Sequence, residues 1–273
     1  MMRLLLVTIA GACLAAGAAV QGQSAEANAP AQAATHSSPS AVPTSARDGA
    51  STREDVEKQL AALQKRMLDW PALAYYRDRD AATPPPARGE QRVVFLGDSI
   101  TEMWGRRGSA FFPGKPYINR GISGQTSPQM VLRFHQDVVD LHPRVVVILA
   151  GTNDIAEKTG PMTPEMTLDN LRAMVEMARA NGIRPVICSI PPDADFYWNK
   201  GLSPAPKIRE WNAKLEAWAK SQNVVWVDYY TPLADANGGM KDGMSLDGTH
   251  PTPAGYAVMA PLAEAGIAKA LGQ

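Results

Sequence analysis

One run of six apolar residues, Val145–Ala150, constrains the fold of this 273-residue chain more than any other feature. An unbroken run of β-branched and aliphatic residues is typical of a strand that is buried on both faces. Such a strand belongs in the centre of a parallel sheet. Four further segments have the composition of strands, and they are Val93–Leu96, Tyr117–Gly121, Arg184–Ile190 and Val224–Asp228.

A segment with helical periodicity follows each of the last four strands. These segments are predicted at about residues 127–140, 163–181, 207–222 and 252–271. An alternation of strands and helices joined by short loops specifies a parallel sheet with helices on both faces. We therefore predict an α/β fold with a five-stranded parallel sheet, formed by a domain of residues 92–273.

Three segments of different composition precede this domain. Residues 1–20 have the order of a signal peptide, because Arg3 is followed by an apolar stretch and then by small residues. Residues 21–50 are rich in Ala, Ser and Pro and predict a disordered tether. Residues 51–91 predict a helical accessory segment that begins with a capping box at Ser51 and Glu54. The apolar stripe of its helix is Val56, Leu60, Leu63 and Met67.

The signal-like segment predicts that the protein is secreted or periplasmic. Its apolar stretch is shorter than the roughly 20 residues that span a bilayer, so we expect no integral membrane segment in the mature chain. Cys13 follows Ala10-Gly11-Ala12, which also resembles a lipoprotein processing site. A lipid anchor at Cys13 is therefore the alternative.

Charge and cysteine content exclude several classes of function. The chain has 27 basic and 27 acidic residues, and this balance gives no reason to expect a nucleic-acid partner. It has two cysteines, and removal of the signal would leave Cys188 alone. An internal disulfide or a cysteine-based metal site is then excluded, and Cys188 is expected to be a small core residue.

Polar residues gather where the predicted strands end. The clusters are Gly97-Asp98-Ser99, Asn119-Arg120-Gly121 and Gly151-Thr152-Asn153-Asp154, and a later loop adds Asp247 and His250. The carboxyl ends of parallel strands meet at one edge of a sheet, where α/β proteins bind their ligands. Each cluster taken alone is also compatible with an ordinary turn. Their occurrence together favours a common site.

The residue types in these clusters match the requirements of acyl transfer. That reaction needs a nucleophile, a base with a pKa near neutrality, a group that orients the base, and donors for an oxyanion. Ser99 is the predicted nucleophile, His250 the base and Asp247 the orienting group. The backbone N–H groups of Ser99 and Gly121 and the side-chain amide of Asn153 are the predicted oxyanion donors.

The chain resembles the SGNH (GDSL) hydrolase family in four sequence blocks. They are Phe95–Thr101, Asn119–Gly124, Gly151–Asp154 and Asp247–Pro251. The resemblance spans about residues 92–268 and implies a flavodoxin-like three-layer α/β/α sandwich. It also implies the same triad and oxyanion donors, and catalysis without a metal or cofactor. The similarity is greatest to platelet-activating-factor acetylhydrolase-like esterases and bacterial carbohydrate esterases.

These features predict an exported serine esterase that hydrolyses short-acyl esters, with acetyl groups on carbohydrates as the favoured substrate. A lysophospholipase or broad lipolytic esterase is the alternative enzyme, and a catalytically silent glycan-binding module is the alternative of another class. Asp98, Phe196, Tyr197 and Trp198 are predicted at the substrate rim, although the three rings could equally pack against the body. The leaving group and the oligomeric state are left open.

Overall fold

The computed structural model of the protein describes residues 52–106 and 108–273. The predicted signal peptide (residues 1–20) and tether (residues 21–50) lie outside the described residues. Within them, five strands form one sheet, and they are β1 (Val93–Gly97), β2 (Tyr117–Gly121), β3 (Val145–Leu149), β4 (Arg184–Cys188) and β5 (Val225–Val227).

All four strand pairings are parallel, and the strand order is β2-β1-β3-β4-β5. The predicted α/β fold with a five-stranded parallel sheet is confirmed. Val145–Leu149 is buried along its whole length, as expected for an interior strand. The fourth strand is shorter than predicted, because the Ile190 N–H donates to the Asn212 side chain at 2.8 Å instead of to a neighbouring strand.

Nine α-helices lie among the described residues. They are α1 (Arg53–Leu68), α2 (Arg77–Ala81), α3 (Ser99–Met103), α4 (Ser127–Asp137), α5 (Thr152–Ile155), α6 (Pro164–Ala180), α7 (Pro204–Ser221), α8 (Tyr230–Leu233) and α9 (Pro253–Leu271). The backbone leaves the helical conformation at Val138, so α4 ends before the predicted residue 140, and a 3-10 turn follows over Val139–Leu141. Helix α7 begins three residues earlier than predicted.

Two apolar layers cover the two faces of the sheet. One contains buried residues of α4, α6 and α7, such as Phe134, Leu171 and Ile208. The other contains residues of α3 and α9, such as Ile100 and Met259. This is the three-layer arrangement that the resemblance implies, and it leaves the carboxyl edge of the sheet for loops.

Helix α1 forms as predicted, but its apolar stripe is not packed against the described residues. Val56, Leu60 and Leu63 are each more than half exposed, and Met67 is 79% exposed. The observed cap lies one residue later than predicted, because the Asp55 N–H donates to Thr52 Oγ1 at 3.2 Å. Among the described residues, no helix has both the length and the apolar character needed to cross a bilayer.

Candidate active site

Ser99 lies where strand β1 gives way to helix α3. The strand ends at Gly97, and the helix begins at Ser99. A Cβ atom on Gly97 would lie 2.1 Å from Thr101 Oγ1, so only glycine allows this close turn. Asp98 caps the helix by accepting a hydrogen bond of 3.0 Å from the Ile100 N–H. The turn places the Ser99 hydroxyl at the carboxyl edge of the sheet.

Ser99, His250 and Asp247 form one chain of hydrogen bonds. Ser99 Oγ lies 2.8 Å from His250 Nε2, and His250 Nδ1 lies 2.8 Å from Asp247 Oδ2. When Nδ1–H donates to the carboxylate, Nε2 directs its lone pair toward the serine hydroxyl. This is the arrangement that a general base acting on a hydroxyl requires. The name triad cluster is used for these three residues.

The loop that carries Asp247 and His250 is fixed by its own hydrogen bonds. Asp247 Oδ1 accepts from the Thr249 N–H at 3.1 Å and from the His250 N–H at 2.8 Å. Burial acts to raise the pKa of Asp247, but the hydrogen bonds from His250 and Thr249 outweigh it and lower the pKa below its usual value. The carboxylate is therefore ionised when it orients the imidazole.

Asp193, which sequence reasoning missed, anchors this loop to the strand β4 side of the site. Its carboxylate accepts a hydrogen bond from the Thr249 hydroxyl. Burial raises the pKa of Asp193 to about 6. The residue follows Pro191-Pro192 in a segment without periodicity, so its only signal was an acidic side chain just beyond the end of a strand.

Asn153 lies in the short helix α5, which follows strand β3. Its Nδ2 donates a hydrogen bond of 3.1 Å to Asp98 Oδ2 and one of 3.0 Å to the carbonyl oxygen of Gln125. Both amide hydrogens thus have acceptors in the protein. An oxyanion therefore has to share one of these hydrogens with its acceptor or replace that acceptor. Asn153, Asp98, Gln125 and Gly124 are named the amide cluster.

The prediction that Asp98 lies at the substrate rim is wrong. Its side chain is 1% exposed and is directed at Ile100 and Asn153 inside the protein. Burial raises the pKa of Asp98 to about 6, although the hydrogen bond from Ile100 acts to lower it. Asp98 therefore positions the helix end and the Asn153 amide and does not face substrate.

The structure also contradicts the predicted role of Gly121. Its N–H donates a hydrogen bond of 2.9 Å to Asn119 Oδ1. A Cβ atom on Gly121 would lie 2.1 Å from the backbone nitrogen of Glu102, so the glycine is required for close packing against helix α3. The buried N–H of Gly121 is therefore not offered to a substrate.

Gly124, three residues later, has two features that an oxyanion donor needs and that Gly121 lacks. These are a partly exposed position and an N–H group that no described residue accepts. Gly124 is half-exposed, has a φ of 79°, and its N–H donates to no acceptor among the described residues. The next residue, Gln125, contacts Asn153. The second glycine of Asn119–Gly124 was visible in the sequence, but nothing in the pattern distinguished it from the first.

The three predicted rim rings lie in different environments. Phe196 has no exposed surface and belongs to the core, so its placement at the rim is wrong. Trp198 stacks on Phe196 with ring centroids 4.9 Å apart and is half-buried. Tyr197 is 51% exposed. The rings of Tyr197 and Trp198 lie 6.2 Å and 6.4 Å from the imidazole of His250.

A buried arginine ties together the backbone around the site. Arg133 is fully buried and donates hydrogen bonds to the carbonyl oxygens of Gly97 and Arg120, at 2.9 Å and 2.8 Å. Its charge is compensated by Asp137, whose carboxylate lies 2.8 Å away. The arginine thereby fixes the ends of strands β1 and β2 relative to each other. Its sequence signal was a charged pair at positions i and i+4 of a predicted helix.

The segment of residues 69–82 is fastened to the same region. Tyr76 donates a hydrogen bond of 2.5 Å to the carbonyl oxygen of Gly121, and Tyr75 donates one to Glu102. The backbone and hydroxyl of Ser123 also donate to Glu102. Burial acts to raise the pKa of Glu102, but these hydrogen bonds lower it below its usual value.

Among residues 52–106 and 108–273, no three His, Cys, Asp or Glu side chains are grouped so that they could hold a metal ion.

The GDSL-like lipase/acylhydrolase family matches residues 95–258 of the chain. The structure of a GDSL-like lipase from Bacteroides thetaiotaomicron VPI-5482 is 43% identical and superposes with a TM-score of 0.70, covering 73% of this chain and 98% of that one. An acetylxylan esterase from Geobacillus stearothermophilus is 20% identical with a TM-score of 0.52, covering 68% of this chain and 96% of that one, and it shares the fold.

A sequence relative is the uncharacterized lipoprotein YqeF of Bacillus subtilis (strain 168). It is 28% identical over an alignment of 212 residues, and the match covers 63% of this chain and 87% of the relative. The matched family region contains the predicted nucleophile and histidine, whereas residues 69–82 lie before it.

Proposed function

The chain belongs to the GDSL-like lipase/acylhydrolase family and is a hydrolase, and we propose that it is an exported serine esterase that cleaves short-acyl esters. The observation that carries the proposal is the chain of two 2.8 Å contacts from Ser99 through His250 to Asp247. A hydroxyl, an imidazole and a carboxylate in this order are the groups that acyl transfer to serine needs.

In the first half of the proposed reaction, Ser99 Oγ attacks the ester carbonyl carbon while His250 Nε2 takes the hydroxyl proton. The tetrahedral intermediate then collapses, the bond to the alcohol oxygen breaks, and His250 returns the proton to the departing alcohol. In the second half, His250 Nε2 takes a proton from a water molecule whose oxygen attacks the acyl carbon. The tetrahedral intermediate then collapses, the bond from the acyl carbon to Ser99 Oγ breaks, and His250 returns the proton to Oγ. This releases the carboxylic acid and restores both Ser99 and the neutral imidazole.

We propose that the N–H groups of Ser99 and Gly124 and the amide of Asn153 bind the oxyanion. Ser99 is the first residue of helix α3, so its N–H is not used by the helix. The N–H of Gly124 donates to no described residue. Donors that are fixed before the reaction stabilise the developing charge without reorganisation.

The proposed substrate is a small acetyl ester carried on a carbohydrate. The aromatic rings of Tyr197 and Trp198 near His250 support this choice, because aromatic faces pack against sugar rings. The competing functions are a lysophospholipase or broad lipolytic esterase, and a catalytically silent glycan-binding module. The chain-length experiment and the probe experiment below separate them from the proposal.

We propose that the protein acts outside the cytoplasm, either released or held by a lipid on Cys13. The signal-like order of residues 1–20 supports export. A sequence relative is named as a lipoprotein, which agrees with this location.

The nucleophile is tested by replacing Ser99 with Ala. Turnover of nitrophenyl acetate is expected to fall by at least about 10⁴-fold, because the attacking oxygen is removed. A fluorophosphonate probe is expected to label the wild type and the control Ser221→Ala, whose exposed serine lies at the end of helix α7, but not Ser99→Ala. Equal labelling of Ser99→Ala would dismiss the triad, and an unlabelled wild type would favour the binding module.

The acyl group is tested with nitrophenyl esters of increasing chain length. The value of kcat/KM is expected to be highest for acetate and to fall steadily for longer acyl groups. A rise toward long chains would replace the proposal with the lipolytic alternative.

A further inference from the structure

A cavity of about 340 Å³ lies beside the amide cluster. One wall is the segment of residues 69–72, and the opposite wall is formed by residues 122–125 with Lys158 and Thr159. Its size is within the range of about 300–1,000 Å³ that small-molecule sites occupy. The wall of residues 69–72 precedes the family match at residues 95–258.

The cavity adjoins the proposed reaction centre. Gly124 and Gln125 line it, and the Gln125 carbonyl oxygen accepts from Asn153 Nδ2 at 3.0 Å. Lys158 forms another part of the lining, and its Nζ lies 5.1 Å from the ring centre of Trp198. The Trp198 ring is in turn 6.4 Å from the imidazole of His250.

The first wall is held in place before any ligand binds. Gln129 Nε2 donates to the Trp70 carbonyl oxygen at 2.7 Å, and Gln125 Nε2 donates to the Pro71 carbonyl oxygen at 2.8 Å. The two carboxylate oxygens of Asp69 accept from the N–H groups of Leu73 and Ala74. A wall fixed in this way loses little conformational entropy when a ligand binds.

The lining of the cavity contains both hydrogen-bond acceptors and hydrogen-bond donors. The oxygens of Asp69, Ser123 and Thr159 retain lone pairs, since each of these oxygens can accept more than one hydrogen bond. The Gly124 N–H and the Lys158 ammonium group are donors in the same lining. A lining of this kind suits a ligand with several hydroxyl groups, which both donate and accept hydrogen bonds, and disfavours an alkyl chain.

Trp70 narrows the ligand class. Its side chain is 41% exposed and lines the cavity, so its indole gives the C–H surface of a sugar an aromatic surface on which to pack.

We propose that this cavity is a binding subsite for a hydroxyl-rich sugar ring that carries the ester, with Trp70 as its platform and Asp69, Ser123 and Thr159 as its acceptors. The assignment rests on the proposed esterase function and names the alcohol half of its substrate. It also gives residues 69–72, which lie before the matched family region, a role in specificity.

The experiment compares two acetyl esters that differ in the alcohol. A singly acetylated methyl xyloside has free hydroxyl groups and a sugar ring, whereas nitrophenyl acetate has neither. In Trp70→Ala, the ratio of kcat/KM for the xyloside to that for nitrophenyl acetate is expected to fall about tenfold, mainly through KM. In Thr159→Val, which removes one acceptor and keeps the shape, the ratio is expected to fall about threefold.

Gln136→Ala is the matched control. Gln136 Nε2 donates to the Leu73 carbonyl oxygen at 2.7 Å, so it fastens the same segment but does not line the cavity. The substrate ratio is expected to stay at the wild-type value in this variant. An unchanged ratio in Trp70→Ala, or an equal fall in Gln136→Ala, would overturn the subsite.

A binding measurement separates failure of the subsite from failure of the esterase function. Methyl xyloside is titrated into Ser99→Ala and into Ser99→Ala with Trp70→Ala, and the heat of binding is followed by isothermal titration calorimetry. A saturable heat that disappears without Trp70 supports the subsite even if no ester is hydrolysed. The absence of a saturable heat in Ser99→Ala overturns the subsite whether or not the wild type is an esterase.

Discussion

The triad cluster and the amide cluster lie side by side at one edge of the sheet but are built in different ways. In the triad cluster, the hydrogen bonds run in a line from Asp247 through His250 to Ser99 Oγ. In the amide cluster, Asn153 donates instead to other protein groups, Asp98 and the Gln125 carbonyl oxygen. The first cluster is thus aligned toward the Ser99 hydroxyl, which is the proposed nucleophile, and the second is fastened inside the protein.

The two carboxyl groups of these clusters show the same contrast. Hydrogen bonds lower the pKa of Asp247 despite its burial, whereas burial raises the pKa of Asp98 to about 6. Asp247 is 30% exposed and lies in a surface loop, while Asp98 is fully enclosed. The comparison teaches that Asp247 and His250 are positioned by hydrogen bonds within their own loop, whereas the position of the Asn153 amide depends on a buried polar network.

The largest expected effect tests whether Asn153 acts in turnover although both of its hydrogens have acceptors. Asn153→Ala is expected to lower kcat for nitrophenyl acetate by roughly 10²- to 10³-fold, the loss typical of one oxyanion donor. Thermal unfolding checks that the variant is folded. A loss smaller than about threefold would remove Asn153 from the oxyanion site and leave it with a purely structural task.

The next effect tests the raised pKa of Asp98, which contrasts with the lowered pKa of Asp247. Because the pKa of Asp98 is higher in the folded protein than in the unfolded chain, its protonated form stabilises the fold, and this contribution disappears as pH rises through about 6. Relative to Asp98→Asn, the wild type is expected to lose about 2–3 kcal/mol of unfolding free energy between pH 4 and pH 7. Urea unfolding at several pH values measures the difference. A difference that is independent of pH would contradict the raised pKa.

The smallest effect tests the fastening of the Gly121 region by the segment of residues 69–82. Tyr76→Phe removes the hydroxyl that donates to the Gly121 carbonyl oxygen. One hydrogen bond contributes about 0.5–1.5 kcal/mol to stability, so the free energy of unfolding is expected to fall by about that amount, and urea unfolding measures it. The matched control is Tyr117→Phe at the opposite end of the same strand. An equal loss of unfolding free energy in both variants would refute the fastening role of Tyr76.

Much of the fold was predictable because it depends on local properties of the chain. The run Val145–Ala150 indicated an interior parallel strand, and the alternating helical segments indicated the layers that cover it. Helix α1 shows the limit of this reasoning. Its stripe predicted a helix correctly, yet Leu60 and Leu63 are more than half exposed, because periodicity indicates a face and not what covers it.

The candidate site was predictable to the level of residue types. Sequence reasoning placed Ser99, His250 and Asp247 at one edge, and the structure brings Ser99 and Asp247 each within hydrogen-bond distance of His250. It chose Gly121 as an oxyanion donor, which is wrong, because the outcome depends on how closely that glycine packs against helix α3. In the same way, a triplet of aromatic residues does not indicate that Phe196 is the ring that enters the core.

The sequence by itself determined the parallel sheet and the kinds of side chain at its carboxyl edge, because burial and strand ends are properties of short stretches. Only the tertiary structure decided which N–H groups remain available and which carboxyl groups are buried. Those outcomes depend on contacts between residues far apart in the chain, such as Asp98 with Asn153 and Tyr76 with Gly121. No pattern within a short stretch contains them, because packing in three dimensions creates them.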